Sequence, residues 1–73
     1  MTISKFSIQV ATLLKALRLK NNISIKELSK KSGVSVYKIK SMENFKHDIR
    51  FSTVFCLCEA LNISMHDFAE MLE

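Results

Sequence analysis

A single glycine and no proline in 73 residues constrain this chain more than any other feature. An all-β sandwich or barrel needs glycine, proline or Asn-Gly at its many turns, and this composition cannot supply them. A chain of this length also leaves no room for a second domain, at about 100–200 residues per domain. The sequence therefore predicts one all-α domain over residues 1–73, built from short helices joined by tight turns.

Helical periodicity and turn residues predict the first three helices. Apolar residues recur at helical spacing from about Phe6 to Lys20, and Asn21-Asn22 ends that helix because asparagine tolerates the left-handed conformation. Ser24 and the glutamate three residues later form a capping-box pattern for a second helix, from 25 to 31 or 32. Gly33 then supplies a positive φ, and the third helix covers about 36–43.

The same signals predict two further helices and a core. Asp48 is a candidate cap for a fourth helix over about 49–61, which Asn62 closes in the left-handed conformation. Ser64, with an aspartate three residues later, opens a fifth over about 65–72. The periodicity predicts a core of Val10, Leu13, Leu17, Leu28, Val34, Ile39, Met42, Val54, Leu57, Leu61, Ile63 and Phe68.

Charge is distributed unevenly along the chain. Residues 1–40 contain nine basic side chains and one acidic side chain, whereas residues 41–73 contain two basic and six acidic ones. One part therefore has a net charge of +8 and the other of −4, within a total of +4. This asymmetry indicates a surface that binds a polyanion, although a solvated lysine surface would produce the same count.

Several other classes of site receive no support from the sequence. Cys56 and Cys58 are two residues apart, so on one helix they point to nearly opposite sides and cannot share a metal ion or a disulfide. We expect both to be reduced thiols, and we expect no metal and no cofactor. The apolar run that begins at Val54 is far shorter than the roughly 18 residues of a membrane span, and no hydrophobic leader follows Lys5. We therefore expect a cytoplasmic protein without a membrane segment.

The segment from Leu28 to Glu43 has the pattern of a helix-turn-helix. Ser29 is small, which allows two helices to cross closely, and Gly33 supplies the left-handed turn between them. Val34 and Ile39 set the second of these helices at a steep angle. Its first turn is then free to enter a groove of DNA.

Over about residues 14–72 the sequence resembles the Cro/phage-repressor family, the xenobiotic-response-element type of helix-turn-helix. The resemblance implies a compact five-helix lambda-repressor-like DNA-binding domain whose helix-turn-helix is formed by helices 2 and 3. The residues that carry the resemblance are Leu17-Arg18, Ile23-Ser24, Glu27-Leu28-Ser29, Ser32-Gly33-Val34-Ser35, Ile39, Met42-Glu43-Asn44, Leu57, Glu59-Ala60-Leu61 and Ile63-Ser64.

The resemblance also implies roles for individual residues. Helix 3 is the recognition helix, with Val36, Tyr37 and Ser41 where base edges are read. Lys38 and Lys40 flank them. Arg18 and Glu43 match a partly buried ion pair between helix 1 and helix 3. The positions that match phosphate contacts are Ser24, Ser35, Asn44 and Lys46.

Three positions depart from the family pattern. Ile25 stands where glutamine is common, so a hydrogen bond that braces the recognition helix is absent. Phe45 replaces a frequent glycine, and because a bulky residue at positive φ is costly, we expect a rearranged loop. Ile49 replaces a frequent proline. We expect the fold to tolerate all three departures, which bear on the strength of DNA binding.

The function that follows is a sequence-specific DNA-binding transcriptional regulator, which binds operator DNA as a homodimer with helix 3 in the major groove. The alternative is a protein-interaction module, antitoxin-like or regulator-binding, with weakened DNA binding. No nucleophile–base constellation or phosphate loop supports an enzyme, and we expect no small-molecule ligand. The apolar residues beyond the needs of so small a core, which we expect to supply a dimer surface, are drawn from Phe51, Phe55, Met65, Phe68, Met71 and Leu72.

Overall fold

The computed structural model describes residues 3–72, and in that range it has five helices. They are α1 (Lys5–Lys20), α2 (Ile25–Ser32), α3 (Val36–Glu43), α4 (Phe51–Ala60) and α5 (Met65–Met71). The predicted all-α class is confirmed, and the predicted bounds of α3 are those of the structure. None of the described helices is long and apolar enough to cross a membrane.

Four of the helices begin at a serine whose hydroxyl oxygen accepts the backbone N–H three residues later. These serines are Ser4, Ser24, Ser35 and Ser64, and the N···O distances are 3.0–3.1 Å. Each such cap satisfies one of the free amides of a first helical turn and contributes about 1 kcal/mol. The caps predicted at Ser24, Ser35 and Ser64 are confirmed, and Ser4 is an additional cap.

The prediction that Asp48 caps a fourth helix beginning at Ile49 is wrong. The helix begins at Phe51, and its N-cap residue, Arg50, makes no side-chain capping bond. The Asp48 carboxylate is turned toward α1, where its Oδ1 accepts the Ser4 N–H at 2.7 Å.

Residues with positive φ close α1, α3 and α4, and Gly33 follows α2 in the same conformation. The structure confirms the left-handed conformation that was predicted at Gly33, at Asn62 and within Asn21-Asn22, where Asn22 is the left-handed residue. Phe45 is also left-handed, with φ 55, so the expected rearrangement of its loop is wrong. Two hydrogen bonds stabilise the left-handed conformation of Phe45. The Phe45 N–H donates to Met42 O at 3.0 Å and the Lys46 N–H donates to Ser41 O at 2.9 Å, which is the Schellman pattern of helix ends.

The core lies where α1, α2, α3 and α4 meet, and α5 covers it from the side of α4. Its buried apolar residues are Val10, Ala11, Leu14, Leu28, Ile39, Met42, Val54, Leu57, Cys58, Leu61 and Phe68. Four predicted core residues are only half-buried and pack against its edge, namely Leu13, Leu17, Val34 and Ile63. α1 is therefore turned so that Leu14 and Ala11 face inward. Phe68, which was also a candidate for the dimer surface, is buried in the core and supplies no exposed surface for a dimer.

Candidate nucleic-acid interface

α2 and α3 form the helix-turn-helix, and Gly33 shapes its turn. The Gly33 φ is 77°, and its N–H donates to Ser29 O at 2.9 Å. Leu28 on one helix and Ile39 on the other are both fully buried. Because both helices are fixed by the core, the turn presents the first turn of α3 to solvent.

The outward side of α3 carries one aromatic and two basic side chains. Tyr37 is 77% exposed, Lys38 and Lys40 are exposed, and Val36 is half-buried. A tyrosine so exposed on a helix of a small domain has little contact with its own chain. The side chain is therefore available to a partner.

The first turns of α2 and α3 both offer backbone amides to solvent. Ser35 Oγ accepts the Lys38 N–H, which leaves the N–H groups of Val36 and Tyr37 without an acceptor inside the helix. Ser24 makes the corresponding bond at α2. Free amides and the positive end of the helix macrodipole attract anions such as phosphate.

One expected position on this surface is much less accessible than the others. Ser41 is only 7% exposed, because it lies on the side of α3 that turns toward the core beside Met42. Its hydroxyl is therefore far less accessible to a partner than the Tyr37 side chain. The outward side of α3 is therefore formed by the exposed Tyr37 and the half-buried Val36, with the two lysines beside them.

The loop after α3 also carries exposed polar side chains. Asn44 and Lys46 are exposed, but their backbone N–H groups already donate to Lys40 O and Ser41 O. Any phosphate contact at these two positions must therefore be made by the side chains.

A buried ion pair ties α1 to the end of α3. Arg18 Nε lies 2.8 Å from Glu43 Oε2, and Arg18 Nη2 donates to Oε1 at 3.1 Å. The two side chains are only 10% and 6% exposed, and Arg18 Nη1 also donates to Ile23 O at 2.8 Å. This is the pair that the family resemblance implies, and its two parallel bonds fix the orientation of α3.

Arg50 adds a positive side chain beside α3 to those that the sequence pattern indicated. A cleft of about 280 Å³ beside α3 is lined by Lys38, His47 and Arg50, together with Asp48 and three less polar residues. The Ser4 N–H holds the pKa of the Asp48 carboxyl below its ordinary value. The signal for this addition in the sequence is a second basic residue four positions after Lys46.

Two groups of metal-binding residue types lie away from this surface. Cys58 is buried and Cys56 half-buried, and both are free thiols. Burial raises the pKa of Cys58 to about 11, which keeps it protonated at neutral pH. His66, Asp67 and Glu70 lie close together on α5, with ligand atoms within 4.8 Å, but all three are exposed, as such groups commonly are without a metal.

Comparison with known families matches this geometry to one of them. The family model of the Cro/C1-type HTH DNA-binding domain matches residues 8–72. The chain belongs to this family. The Cro/C1-type match spans all five helices apart from the first turn of α1. The predicted resemblance is thus confirmed.

Solved structures with the same fold as this Cro/C1-type domain include a restriction-modification controller protein, C.Esp1396I. The wild-type controller is 23% identical with a TM-score of 0.89, over 94% of this chain and 90% of that chain. Its tetramer in complex with its natural 35-base-pair operator has the same identity and TM-score, over 94% of this chain and 91% of that one. At this identity the likeness establishes the fold. No curated protein matches the sequence at a significant level.

Proposed function

We propose that this domain is a sequence-specific transcriptional regulator that binds operator DNA as a homodimer, with α3 in the major groove. The observation that carries the proposal is the exposed first turn of α3, where Tyr37 stands between free backbone amides and two lysines. A helix of this width fits the major groove of B-form DNA. A cytoplasmic location and the absence of catalysis are part of the same proposal.

Phosphate contacts are assigned to groups on both sides of α3. The Ser24 and Ser35 hydroxyls lie at helix N-termini, where backbone amides add to the attraction. Lys40, Asn44 and Lys46 follow at the other end of α3. Lys38 completes the positive surface, and such contacts fix the register of a protein on DNA without reading its sequence.

Base reading is assigned to Val36 and Tyr37. The first turn of α3 offers no arginine, asparagine or glutamine, the residues that make strong bidentate contacts to guanine and adenine, worth about 1–3 kcal/mol each. Discrimination per base is therefore modest. It comes from contact between Val36 and a thymine methyl, from the Tyr37 hydroxyl and from the shape of the DNA.

The homodimer is supported by apolar surface that the core does not use. Phe51, Phe55 and Met71 are exposed, and an apolar groove of about 590 Å³ lies between α1, α4 and α5. Phe6 and Leu72 are among the residues that line this groove. Apolar surface of this kind on a small domain marks an interaction site, and two-fold dimers read paired half-sites. The controller described above forms a tetramer on its operator, which supports self-association in this fold.

Two substitutions test the docking of α3. Tyr37→Ala lowers the ratio of specific to random binding and leaves the salt dependence of affinity nearly unchanged. Lys40→Ala weakens specific and random binding equally and reduces the slope of log affinity against log salt by about 1. Titrations of an operator duplex and a scrambled duplex at several salt concentrations measure both quantities. If Tyr37→Ala leaves the specificity ratio of a folded dimer intact, α3 is not docked in this way.

A second function, a protein-interaction module with weakened DNA binding, is favoured by one observation. Phe45 is an exposed aromatic residue in the loop that carries Asn44 and Lys46, where it offers apolar surface and no charge for a phosphate. A gel shift with random duplex separates the two functions. Retardation at low salt that disappears at moderate salt supports the regulator, and no retardation at low salt supports the interaction module.

A further inference from the structure

Two hydrogen bonds join the start of α1 to the loop that precedes α4. The Ser4 N–H donates to Asp48 Oδ1 at 2.7 Å, and the Ile49 N–H donates to Ser7 Oγ at 3.1 Å. Ser7 is only 3% exposed, and its own N–H donates to Ser4 Oγ at 3.1 Å. The Ser4 hydroxyl therefore caps α1, while the Ser4 N–H and the Ser7 hydroxyl hold a loop more than 40 residues away in the sequence.

This connection supplies the support that α4 lacks. The N-cap residue of α4, Arg50, makes no side-chain capping bond, and only its carbonyl is bonded to α4, by the N–H groups of Thr53 and Val54. At its other end the loop is closed by the bonds from Phe45 and Lys46 to the last turn of α3. The loop is thus fixed at both ends, by α3 on one side and by α1 on the other.

We propose that Ser7 and Asp48 are positioning residues for DNA binding, which hold the loop from Asn44 to Arg50 so that its side chains face the DNA backbone. The inference rests on the proposed function, because Asn44 and Lys46 are among the residues assigned to phosphate. Neither Ser7 nor Asp48 touches DNA in this account. Ser7 is buried, and Asp48 carries the same charge as the phosphates.

The charge of Asp48 makes the proposal testable. Removal of an acidic group near a DNA-binding surface strengthens DNA binding if the group acts only through its charge. If Asp48 acts as an anchor, Asp48→Ala does the opposite. Only the end of the loop next to α3 then stays fixed, so the loop holds its side chains less firmly against the DNA backbone. Binding weakens, and the salt slope falls by about 0.9 for each phosphate that is no longer neutralised.

Three further variants complete the experiment on the full chain. Asp48→Asn keeps an oxygen that accepts the Ser4 N–H, and it is expected to restore most of the affinity that Asp48→Ala loses. Asp67→Asn, at an exposed position of α5, is the matched control for a change of one charge, and its salt slope is expected to equal that of the wild type. Ser7→Ala removes the other bond and is expected to lower the salt slope as Asp48→Ala does.

Hydrogen exchange without DNA provides a readout that does not depend on binding. Faster exchange of the Ile49 amide in Ser7→Ala, and of the Ser4 amide in Asp48→Ala, is the expected result. If the wild type binds DNA and Asp48→Ala binds as tightly or more tightly, with an unchanged slope, the positioning role is overturned and the proposed function stands. If the wild type binds no duplex at low salt, the proposed function itself fails.

Discussion

Glu43→Gln removes the charge from one side of the buried ion pair between α1 and α3 while keeping the size of the side chain. The pair has two bonds, of 2.8 and 3.1 Å, between side chains that are 10% and 6% exposed. Removing one partner of a buried pair costs about 3–5 kcal/mol, because a charge remains buried without compensation. Glutamine keeps one acceptor oxygen for Arg18, so we expect the lower end, about 3 kcal/mol.

That loss is large for a domain of this size. At about 0.05–0.15 kcal/mol per residue, the whole chain has a free energy of unfolding of roughly 4–11 kcal/mol. A cost of about 3 kcal/mol then lowers the midpoint of thermal unfolding by at least about 12 °C. Urea unfolding of the wild type and the variant at one protein concentration measures the difference in free energy, and thermal unfolding followed by circular dichroism measures the midpoint.

Glu70→Gln is the matched control for this prediction. Glu70 is 69% exposed and its Oε1 lies 4.0 Å from His66 Nδ1, so the same chemical change occurs in an exposed pair. Such pairs contribute little because water screens them, and we expect no measurable change. If Glu43→Gln is as harmless as Glu70→Gln, the pair does not hold α3 and the reasoning is refuted.

Three further predictions concern the turn, the thiols and the dimer. Gly33→Ala lowers the free energy of unfolding, measured in urea, by about 1 kcal/mol. An added Cβ meets no atom within 4 Å, so only the positive φ opposes the substitution. A loss of stability above about 3 kcal/mol would contradict this reasoning. Burial raises the pKa of Cys58 from 9.0 to about 11, so a thiol reagent at pH 8 labels Cys56 first, and equal labelling of the two thiols would refute this. The free energy of unfolding also falls between pH 9.0 and about 11, because the Cys58 thiol ionises at lower pH in the unfolded chain than in the folded one. Met71→Glu shifts sedimentation at micromolar concentration toward monomer, and an unchanged dimer would contradict the assignment of the dimer surface to Met71.

Local signals in the sequence were sufficient for most helix boundaries. α3 was predicted to the residue because Ser35 at its start and the acidic residue and asparagine at its end are all local features. α2 is bounded in the same way by Ser24 and Gly33. In each case the determining contacts join residues at most five apart, so periodicity and capping rules describe them fully.

The structure departs from the sequence analysis at Asp48 and Ser41, where the determining contact or packing is distant in the sequence, and at Phe45, where the determining bonds are local. Asp48 had the right residue type and spacing for a cap, yet it bonds to Ser4 across 44 residues. Ser41 was placed by its matching position in the family, whereas its burial depends on the rotation of α3 against the core. Phe45 adopts a costly φ because the bonds around the end of α3 compensate for it, and a residue-by-residue rule cannot include that compensation.

Selection of bound duplexes from a random pool, by the full chain at moderate salt, tests the central claim most directly. The account predicts enrichment of a two-fold symmetric consensus, with half-sites separated by about 10–10.5 base pairs or a multiple of that spacing. A-T-rich positions where Val36 meets thymine are expected within each half-site. Recovered sequences that differ in no way from the starting pool would contradict the claim that α3 of this domain reads DNA.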